Sequence, residues 1–348
     1  MQAVQFTDHG GHEVIEYGTV PDPDPGPEDV LVDVRAGALN HLDVWTRNGL
    51  PGLDLPLPHV PGSDAAGVVE AVGERVSRFA PGDRVAVTAG VSCGQCEFCR
   101  DGDYSLCVDF EILGEHTTGV HSELAAVHED NLVTVPDHVD WETAAAAPLV
   151  FQTAWRMLVT RADVSPGETV LVPGASGGVG HAAVQIAADA GAEVLATASS
   201  EEKLVYAREL GADTTIDYEA EDDLPAAVRT ATGKRGVDVV VDHVGGDTWS
   251  DSLRCLARGG RLVTCGATAG PRPQTDIPRI FGNQLTILGS TMATPGEVDD
   301  VLAKVWDGTY EVRVRETLPM SETARAHEML ELREGFGKVV VVPDSEYA

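Results

Sequence analysis

The chain has 348 residues, of which 43% are hydrophobic, and this length predicts two domains with sizeable cores. No apolar run approaches the roughly 18 residues of a membrane span, and the N-terminal residues lack the basic and apolar regions of a signal peptide, so we expect a cytoplasmic protein without a membrane partner. The net charge of −32, from 56 acidic and 24 basic residues, repels nucleic-acid phosphates and excludes that class of partner.

The basic residues include few lysines, which are Lys203, Lys234, Lys304 and Lys338. The acidic residues are scattered along the chain and destabilise the fold by self-repulsion unless salt screens them. An ordinary solvated surface is the simpler interpretation. Acid-rich and lysine-poor composition together favours a second hypothesis, adaptation to a salt-loaded (halophilic) cytoplasm.

The first part of the chain alternates short apolar runs with turn residues. The runs are Val30–Val34, Ala66–Val72 and Arg84–Thr88, and glycine and proline lie between them. This texture predicts a compact β-rich domain over residues 1–127.

Within this domain, four cysteines lie in fifteen residues, at Cys93, Cys96, Cys99 and Cys107. Such short gaps allow four thiolates to surround one zinc ion and leave no position open for a substrate, so we expect one structural zinc per chain. A disulfide is less compatible with a reducing compartment. An iron–sulfur cluster uses other cysteine spacings.

From about residue 128 the pattern changes to helices alternating with strands. Helical pattern starts near Trp141, and a strand at Thr169–Val172 precedes a glycine-rich loop and an apolar helix over His181–Ala190. Further strands at Glu193–Thr197 and Val237–Val241 continue the alternation, which predicts a parallel sheet over residues 128–290. Residues 291–348 return to mixed α+β texture.

The glycine-rich loop has the composition of a dinucleotide-binding turn. It lies between a predicted strand and a predicted helix, where glycines allow backbone amides to approach a pyrophosphate at the helix N-terminus. The candidate cofactor residues in the loop are Gly174, Ser176, Gly177, Gly178, Val179 and Gly180.

The end of the next strand predicts which dinucleotide binds. NAD sites place an acid there for the adenosine ribose, whereas this chain has Ser199 and Ser200, followed by Lys203. Hydroxyls and an ammonium suit the 2′-phosphate of NADP(H). Glu201 and Glu202 argue the other way, unless they serve only the helix dipole.

These motifs and their order resemble the medium-chain dehydrogenase/reductase superfamily over nearly the whole chain. The resemblance includes Gly62-x4-Gly67-x5-Gly73, the turn Gly82-Asp83-Arg84-Val85, the cysteine lobe and the Gly-Gly-Val-Gly loop. It implies an α/β fold with a GroES-like catalytic domain over 1–127, a Rossmann NADP-binding domain over 128–290, and a segment over 291–348 that returns to the catalytic domain. It also implies a homodimer or homotetramer.

The chain lacks the catalytic-zinc ligands of the superfamily's alcohol dehydrogenases. Asn40 matches the first ligand, Gly62-Ser63-Asp64 matches the Gly-His-Glu triplet, and the third ligand falls near Leu149. An amide, a hydroxyl and an aliphatic chain do not hold Zn²⁺. A relocated site built from His41, Asp43, His59 and Asp64 is an alternative.

Asn40-x-x-Asp43 followed by Arg47-x-Gly49 resembles the quinone oxidoreductase branch. The resemblance implies hydride transfer from NADPH to a quinone or an α,β-unsaturated carbonyl compound, including an acyl thioester, without catalytic metal. We expect Asn40 to position the nicotinamide or the substrate, because its amide donates a hydrogen bond without a metal, and His41 to donate a second hydrogen bond or a proton. Trp45 and Arg47 are expected in the substrate pocket, with a core position for Trp45 and an ion pair for Arg47 as alternatives.

By the same resemblance, Thr153 lies beside the cofactor and Tyr218 near its adenosine phosphate. The leading hypothesis is therefore a zinc-stapled, NADPH-dependent reductase of a small molecule. An alcohol or sugar dehydrogenase with relocated zinc is one alternative, and a non-catalytic NADPH-binding protein is another.

Overall fold

The computed structural model describes residues 1–333 and 335–347 and consists of two compact units. Unit 1 comprises Met1–Leu149 and Thr294–Ala348, and unit 2 comprises Val150–Ala293. The boundary therefore lies later than the predicted 127/128. The reason is that residues after 127 complete the first core: a strand at Leu132–Thr134 pairs with Arg84–Val87, and alanines of the helix Trp141–Ala146 join that core.

Unit 1 is built mainly from strands. Their bounds are β1 (Gln2–Phe6), β2 (Ile15–Thr19), β3 (Asp29–Ala38), β4 (Asp64–Val72), β5 (Arg84–Val87), β6 (Gly90–Val91), β7 (Glu111–Ile112), β8 (Leu124–His128), β9 (Leu132–Thr134), β16 (Val314–Pro319) and β17 (Lys338–Val342). Its helices are α1 (His41–Asn48), α2 (Glu97–Arg100), α3 (Trp141–Ala146), α10 (Pro295–Trp306) and α11 (Thr323–Glu331). Helix α4 (Pro148–Trp155) contains the boundary between the units.

The central sheet of unit 1 has the order β16-β17-β3-β4-β5-β9, and β8 pairs with β3. Ala38 at the end of β3 lies opposite both Asp64 of β4 and Val340 of β17. Three groups of residues are therefore neighbours: those just beyond Ala38, those at the start of β4 and those at the start of β17. This register assembles the polar cluster described below from three distant parts of the chain.

Unit 2 is a parallel sheet whose strands alternate with helices. Its elements are β10 (Thr169–Val172), α5 (Gly178–Asp189), β11 (Glu193–Ala198), α6 (Glu201–Glu209), β12 (Thr214–Asp217), α7 (Leu224–Ala231), β13 (Val237–Asp242), α8 (Trp249–Cys255), β14 (Leu256–Thr264), α9 (Ile277–Asn283) and β15 (Thr286–Gly289). The strand order is β12-β11-β10-β13-β14-β15, and all pairings are parallel. This is the doubly wound order of a dinucleotide-binding sheet, and it confirms the predicted α/β class.

Across the described residues, no helix combines the length and the apolar character that a membrane crossing requires.

Candidate functional site

The four clustered cysteines of unit 1 converge as predicted. Their Sγ atoms all lie within 4.8 Å of one another. Tetrahedral zinc–thiolate bonds place sulfurs about 3.8 Å apart, so this spacing fits the ion. All six cysteines of the chain are free thiols, so no disulfide joins members of the cluster.

The local backbone favours a thiolate at Cys96, whereas burial raises the pKa of the Cys99 thiol to about 12. The Cys93 N–H lies 3.2 Å from the Cys107 Sγ, and backbone N–H groups of Cys99 and Val108 lower the pKa of the Cys96 thiol to about 6. Thiolates are the form that binds zinc. Bound zinc would cross-link residues 93–107, and four protein sulfurs would leave the ion no coordination position for a substrate.

The glycine loop of unit 2 lies between β10 and α5. Gly174 has a φ of +60°, which favours glycine, and a Cβ at Gly180 would come within 2.2 Å of the Gly174 carbonyl oxygen. The loop can therefore close tightly against the helix only with these two glycines. Ser176 and Val179 are half-buried in it, and the first N–H groups of α5 have no intrahelical acceptor. The geometry fits a pyrophosphate at the helix N-terminus.

The polar residues after β11 lie beside the end of β12. Ala198 and Asp217 are register partners, and the Tyr218 N–H donates to the Ala198 carbonyl at 3.2 Å. The Lys203 ammonium donates to the Ser199 hydroxyl at 3.1 Å, and Ser200 is the N-cap of α6. The structure thus collects Ser199, Ser200, Lys203 and Tyr218 at one corner of the sheet.

The two acidic residues at the start of α6 have other partners or roles in the structure. Glu201 pairs with Arg208, two helical turns further on, at 3.0 Å. Glu202 is exposed in the first turn, where an acid complements the helix dipole.

Sequence reasoning missed the turn that follows β13. The Asp242 carboxylate is buried and accepts hydrogen bonds from the N–H groups of Val244 (3.0 Å) and Gly245 (2.8 Å). The His243 ring lies beside Gly174, since a Cβ there would be 3.4 Å from its Nε2. The sequence signal for this turn was an acid at the end of a strand, just before Gly245-Gly246, because such a carboxylate stabilises a tight turn by accepting hydrogen bonds from backbone N–H groups.

In unit 1, the Asn40 side chain is held on both sides. Its Nδ2 donates to Asp64 Oδ2 at 2.8 Å, and its Oδ1 accepts from the Lys338 ammonium at 2.5 Å. Lys338 also donates to the Leu39 carbonyl at 2.8 Å and lies 3.5 Å from Asp64 Oδ2. The Asn40 side chain is thus buried, with its amide oxygen and one N–H engaged, and its expected role in positioning nicotinamide or substrate stays a prediction.

The second oxygen of Asp64 extends the same network. Asp64 Oδ1 accepts from the Leu149 N–H at 3.1 Å, while the neighbouring Ser63 hydroxyl donates to the Leu113 carbonyl at 2.6 Å. The three parts of the chain that match the catalytic-zinc ligands thus meet in one hydrogen-bonded cluster. Sequence analysis did not predict Lys338 as its centre.

Burial perturbs every ionisable group in this cluster. It raises the pKa of the Asp43 carboxyl to about 7, with the Asp64 charge adding to the rise. It also raises the pKa of Asp64 and lowers that of Lys338, in each case against the attraction of the other. Asp43 caps α1 by accepting the Asn40 N–H at 2.7 Å.

A buried histidine explains the glycine of the Gly62-Ser63-Asp64 triplet. A Cβ at Gly62, whose φ is +105°, would lie 2.4 Å from the His121 ring. Burial lowers the pKa of His121 to about 4, so its ring is neutral at physiological pH. Gly62 is thus required both by its backbone conformation and by this contact.

The remaining α1 residues separate into exposed and buried groups. His41 is exposed at the first helical position, with the half-buried Trp45 ring 6.4 Å away between centroids. Arg47, by contrast, is fully buried and pairs with Glu331 at 2.5 Å, while also donating to the Gly10 carbonyl. The expectation that Arg47 lines a substrate pocket is wrong, because its guanidinium ties α1 to α11.

The alternative zinc site is not assembled. Among the described residues, the four cysteines are the only group of three or more potential ligands within 4.8 Å. His59 points its Nε2 at the Gly114 carbonyl, at 3.0 Å, and Asp43 and Asp64 are engaged by Asn40. Thr153 lies in α4, 6% exposed, within unit 2.

Comparison with known proteins places these features in a family. Residues 26–137 match the alcohol dehydrogenase GroES-like domain, and residues 178–307 match the zinc-binding dehydrogenase family. A quinone oxidoreductase from Pseudomonas aeruginosa is 35% identical, over 98% of this chain and 99% of its own length.

Two solved structures are similar over almost the whole chain. The first is an NAD-dependent alcohol dehydrogenase with a TM-score of 0.94 and 46% identity, covering 98% of this chain and 99% of its own. The second is a crotonyl-CoA carboxylase/reductase in complex with NADP, with a TM-score of 0.92 and 26% identity, covering 99% and 95%.

Proposed function

Because the chain belongs to the medium-chain dehydrogenase/reductase superfamily and is an oxidoreductase of that type, we propose that it reduces a quinone or an α,β-unsaturated carbonyl compound with NADPH and without a catalytic zinc ion. An enoyl thioester belongs to the same substrate class. Relatives named as quinone oxidoreductase and crotonyl-CoA carboxylase/reductase support this class. A non-catalytic NADPH-binding role has no support among them.

The observation that carries the proposal is the chemistry of the polar cluster in unit 1. The Asn40 amide donates to Asp64 and accepts from the Lys338 ammonium, and the Leu149 N–H donates to Asp64. Catalytic zinc needs three strong ligands of thiolate, imidazole or carboxylate type. This cluster offers only the carboxyl groups of Asp43 and Asp64, and they are already engaged by the Asn40 N–H and the Lys338 ammonium. The reaction therefore has to proceed by positioning and hydrogen bonding instead of Lewis-acid activation of an alcohol.

The residues of α1 supply that chemistry. NADPH supplies the hydride when it is bound. Negative charge then grows on the substrate oxygen, and a donor placed there stabilises it. His41, exposed at the first turn of α1, is the group we assign to hydrogen bonding or protonation. Trp45 offers an aromatic face for a flat substrate, and Asn40 positions the start of the helix.

Unit 2 supplies the cofactor site. We assign the pyrophosphate to the glycine loop, Gly174 to Gly180, and the adenosine 2′-phosphate to Ser199, Ser200 and Lys203. Tyr218 and Thr153 are assigned to the adenosine and to the nicotinamide side of the same cofactor. The ammonium–hydroxyl pair of Lys203 and Ser199 supports NADPH over NADH, because a phosphate prefers charged donors.

A second candidate function is an alcohol dehydrogenase that uses NAD. The observation in its favour is the 46% identical structure described under that activity. The groups around Lys338 argue against this function, because they do not supply the three strong ligands that a catalytic zinc ion needs. Both candidates include one structural zinc per chain, and they differ in whether a second zinc binds.

The first experiment is zinc analysis of the purified protein, followed by cofactor assays. One zinc per chain and NADPH oxidation with quinones or enones would support the proposal. A second zinc with NAD⁺ reduction by alcohols would refute it in favour of the dehydrogenase. In the active enzyme, Asn40→Ala should lower kcat sharply and leave the Kd for NADPH unchanged.

We also propose that two copies of the chain associate through the edge of the sheet in unit 2. Within the described part of the chain, β15 pairs only with β14, and α9 beside it buries no residue. Ile277 (59%), Phe281 (70%) and Ile287 (38%) are exposed there, and such an edge favours pairing with a second copy. Phe281→Asp should convert a dimer to monomer in light scattering, while a monomeric parent chain would exclude this interface.

A further inference from the structure

Lys338 is the most deeply buried ammonium among the four lysines of the chain. It is 4% exposed, at the first residue of β17. An ammonium has three N–H donors, and three acceptors surround this one: the Leu39 carbonyl, the Asn40 amide oxygen and the Asp64 carboxylate. A buried charge is tolerated when it is paired and hydrogen-bonded in this way.

The Lys338 ammonium lies against the residues that match the catalytic-zinc ligands of the related zinc enzymes. Asn40 and Asp64 lie at the parts of the chain that match catalytic-zinc ligands, and the Leu149 N–H, at the third part, binds the same carboxylate. The cluster is continuous with the N-terminus of α1, since Asn40 precedes His41. A change at Lys338 would therefore be transmitted through Asn40 to the exposed face of α1.

We propose that Lys338 is a positioning residue that supplies the fixed positive charge of this site, holding Asn40 and the start of α1 in the orientation required for reduction. The inference rests on the proposed reductase function. It does not make Lys338 a catalytic residue, because the side chain is enclosed by protein. The other charged or titratable groups around it are Asp43, Asp64 and the neutral His121.

Two buried carboxyl groups, Asp43 and Asp64, lie near the single cation Lys338. Removal of Lys338 leaves Asp64 buried without its cation and near Asp43, and an uncompensated buried charge is costly. The Asn40 amide then loses one of its two anchors. Displacements of about 1 Å in a positioning group can cost on the order of 100-fold in rate, and this is the loss we expect in kcat.

The first test does not depend on activity. The protein has only four lysines, so selective ¹⁵N-lysine labelling gives at most four side-chain signals. We expect one ammonium signal protected from solvent exchange, absent in Lys338→Met and shifted in Asp64→Asn. Lys234→Met, which alters an exposed lysine of unit 2, should leave it unchanged. No protected signal, or its persistence in Lys338→Met, would overturn the inference.

The second test separates positioning from a merely structural role. Lys338→Met should lower kcat on the order of 100-fold with the KM for NADPH within about twofold, and Lys234→Met should do neither. Lys338→Ala should regain activity with n-propylammonium and not with n-propanol, which matches its size without the charge. Unchanged kcat per folded enzyme, or equal rescue by the alcohol, would refute positioning by charge.

Two further outcomes are separable. If Lys338→Met does not fold, the double variant Asp64→Asn/Lys338→Met removes both charges. A kcat well below that of Asp64→Asn alone would support the inference, and an equal kcat would overturn it. A wild-type enzyme inactive toward all quinones and enones, yet with a protected ammonium, would refute the proposed function. An active wild-type enzyme without that ammonium would refute this inference alone.

Discussion

Replacement of Asp43 by Asn should change how the stability of unit 1 depends on pH. Asp43 is fully buried at the start of α1. Its burial, together with the nearby Asp64, raises the pKa of the carboxyl from 3.8 to about 7, against the Asn40 N–H and Lys338, which lower it. Asn retains an oxygen that can accept the Asn40 N–H and removes the ionisation. The variant therefore isolates the titration of one group.

The sign and size of this change in unfolding free energy follow from the difference in proton binding between the folded and unfolded states. A carboxyl whose folded pKa is raised stabilises the fold fully below pH 3.8, and this contribution is lost as the pH rises through about 7. Each pH unit in that interval costs about 1.4 kcal/mol, or roughly 4 kcal/mol in all. The stability of Asp43→Asn relative to wild type should thus increase by roughly 2 kcal/mol from pH 5 to pH 7, and level off above pH 7.

Urea unfolding in molar KCl, followed by tryptophan fluorescence at several pH values, measures this difference. The control is Asp137→Asn, which makes the same substitution at an exposed site of unit 1 and should parallel wild type. An offset that adds equally at every pH would come from changed packing or hydrogen bonding, on top of the pH-dependent difference. If the difference between Asp43→Asn and wild type does not change at all from pH 5 to pH 8, Asp43 is ionised throughout and the reasoning is refuted.

Three further predictions concern the other features. Cys99→Ser should reduce the zinc content measured by elemental analysis below one per chain and lower the Tm, because metal binding contributes folding free energy; full zinc content would contradict a four-thiolate site. Ser199→Ala with Lys203→Met should raise the KM for NADPH about tenfold or more and leave the KM for NADH unchanged, and equal effects on both cofactors would remove the 2′-phosphate assignment. Because the net charge is −32, the Tm should rise from low salt to molar KCl as repulsion is screened; a Tm independent of KCl in calorimetry would exclude adaptation to salt.

Local patterns predicted much of the architecture. The strand at Thr169–Val172 has the predicted bounds, and the cysteine cluster forms as its spacing required. The helix after the glycine loop begins three residues earlier than predicted, at Gly178. Glycines carry a weak helix signal, whereas here they allow the close packing of the helix on the loop.

The roles of Asn40 and Arg47 needed the tertiary structure. Arg47 pairs with Glu331 across 284 positions of the sequence, and Lys338 reaches Asn40 across 298. Nothing near either residue in sequence indicates these partners. A buried strand such as Lys338–Val342, apolar after its first residue, has no alternating pattern from which its register could be predicted.

The sequence by itself therefore determined the zinc lobe, the dinucleotide loop and the alternation of strands and helices, because each depends on residues within one short segment. The tertiary structure alone decided that an ammonium lies between Asn40 and Asp64. That outcome depends on the pairing of β17 with β3 and of β3 with β4, since cross-strand register fixes which distant side chains meet in a low-dielectric interior where an unpaired charge is not tolerated.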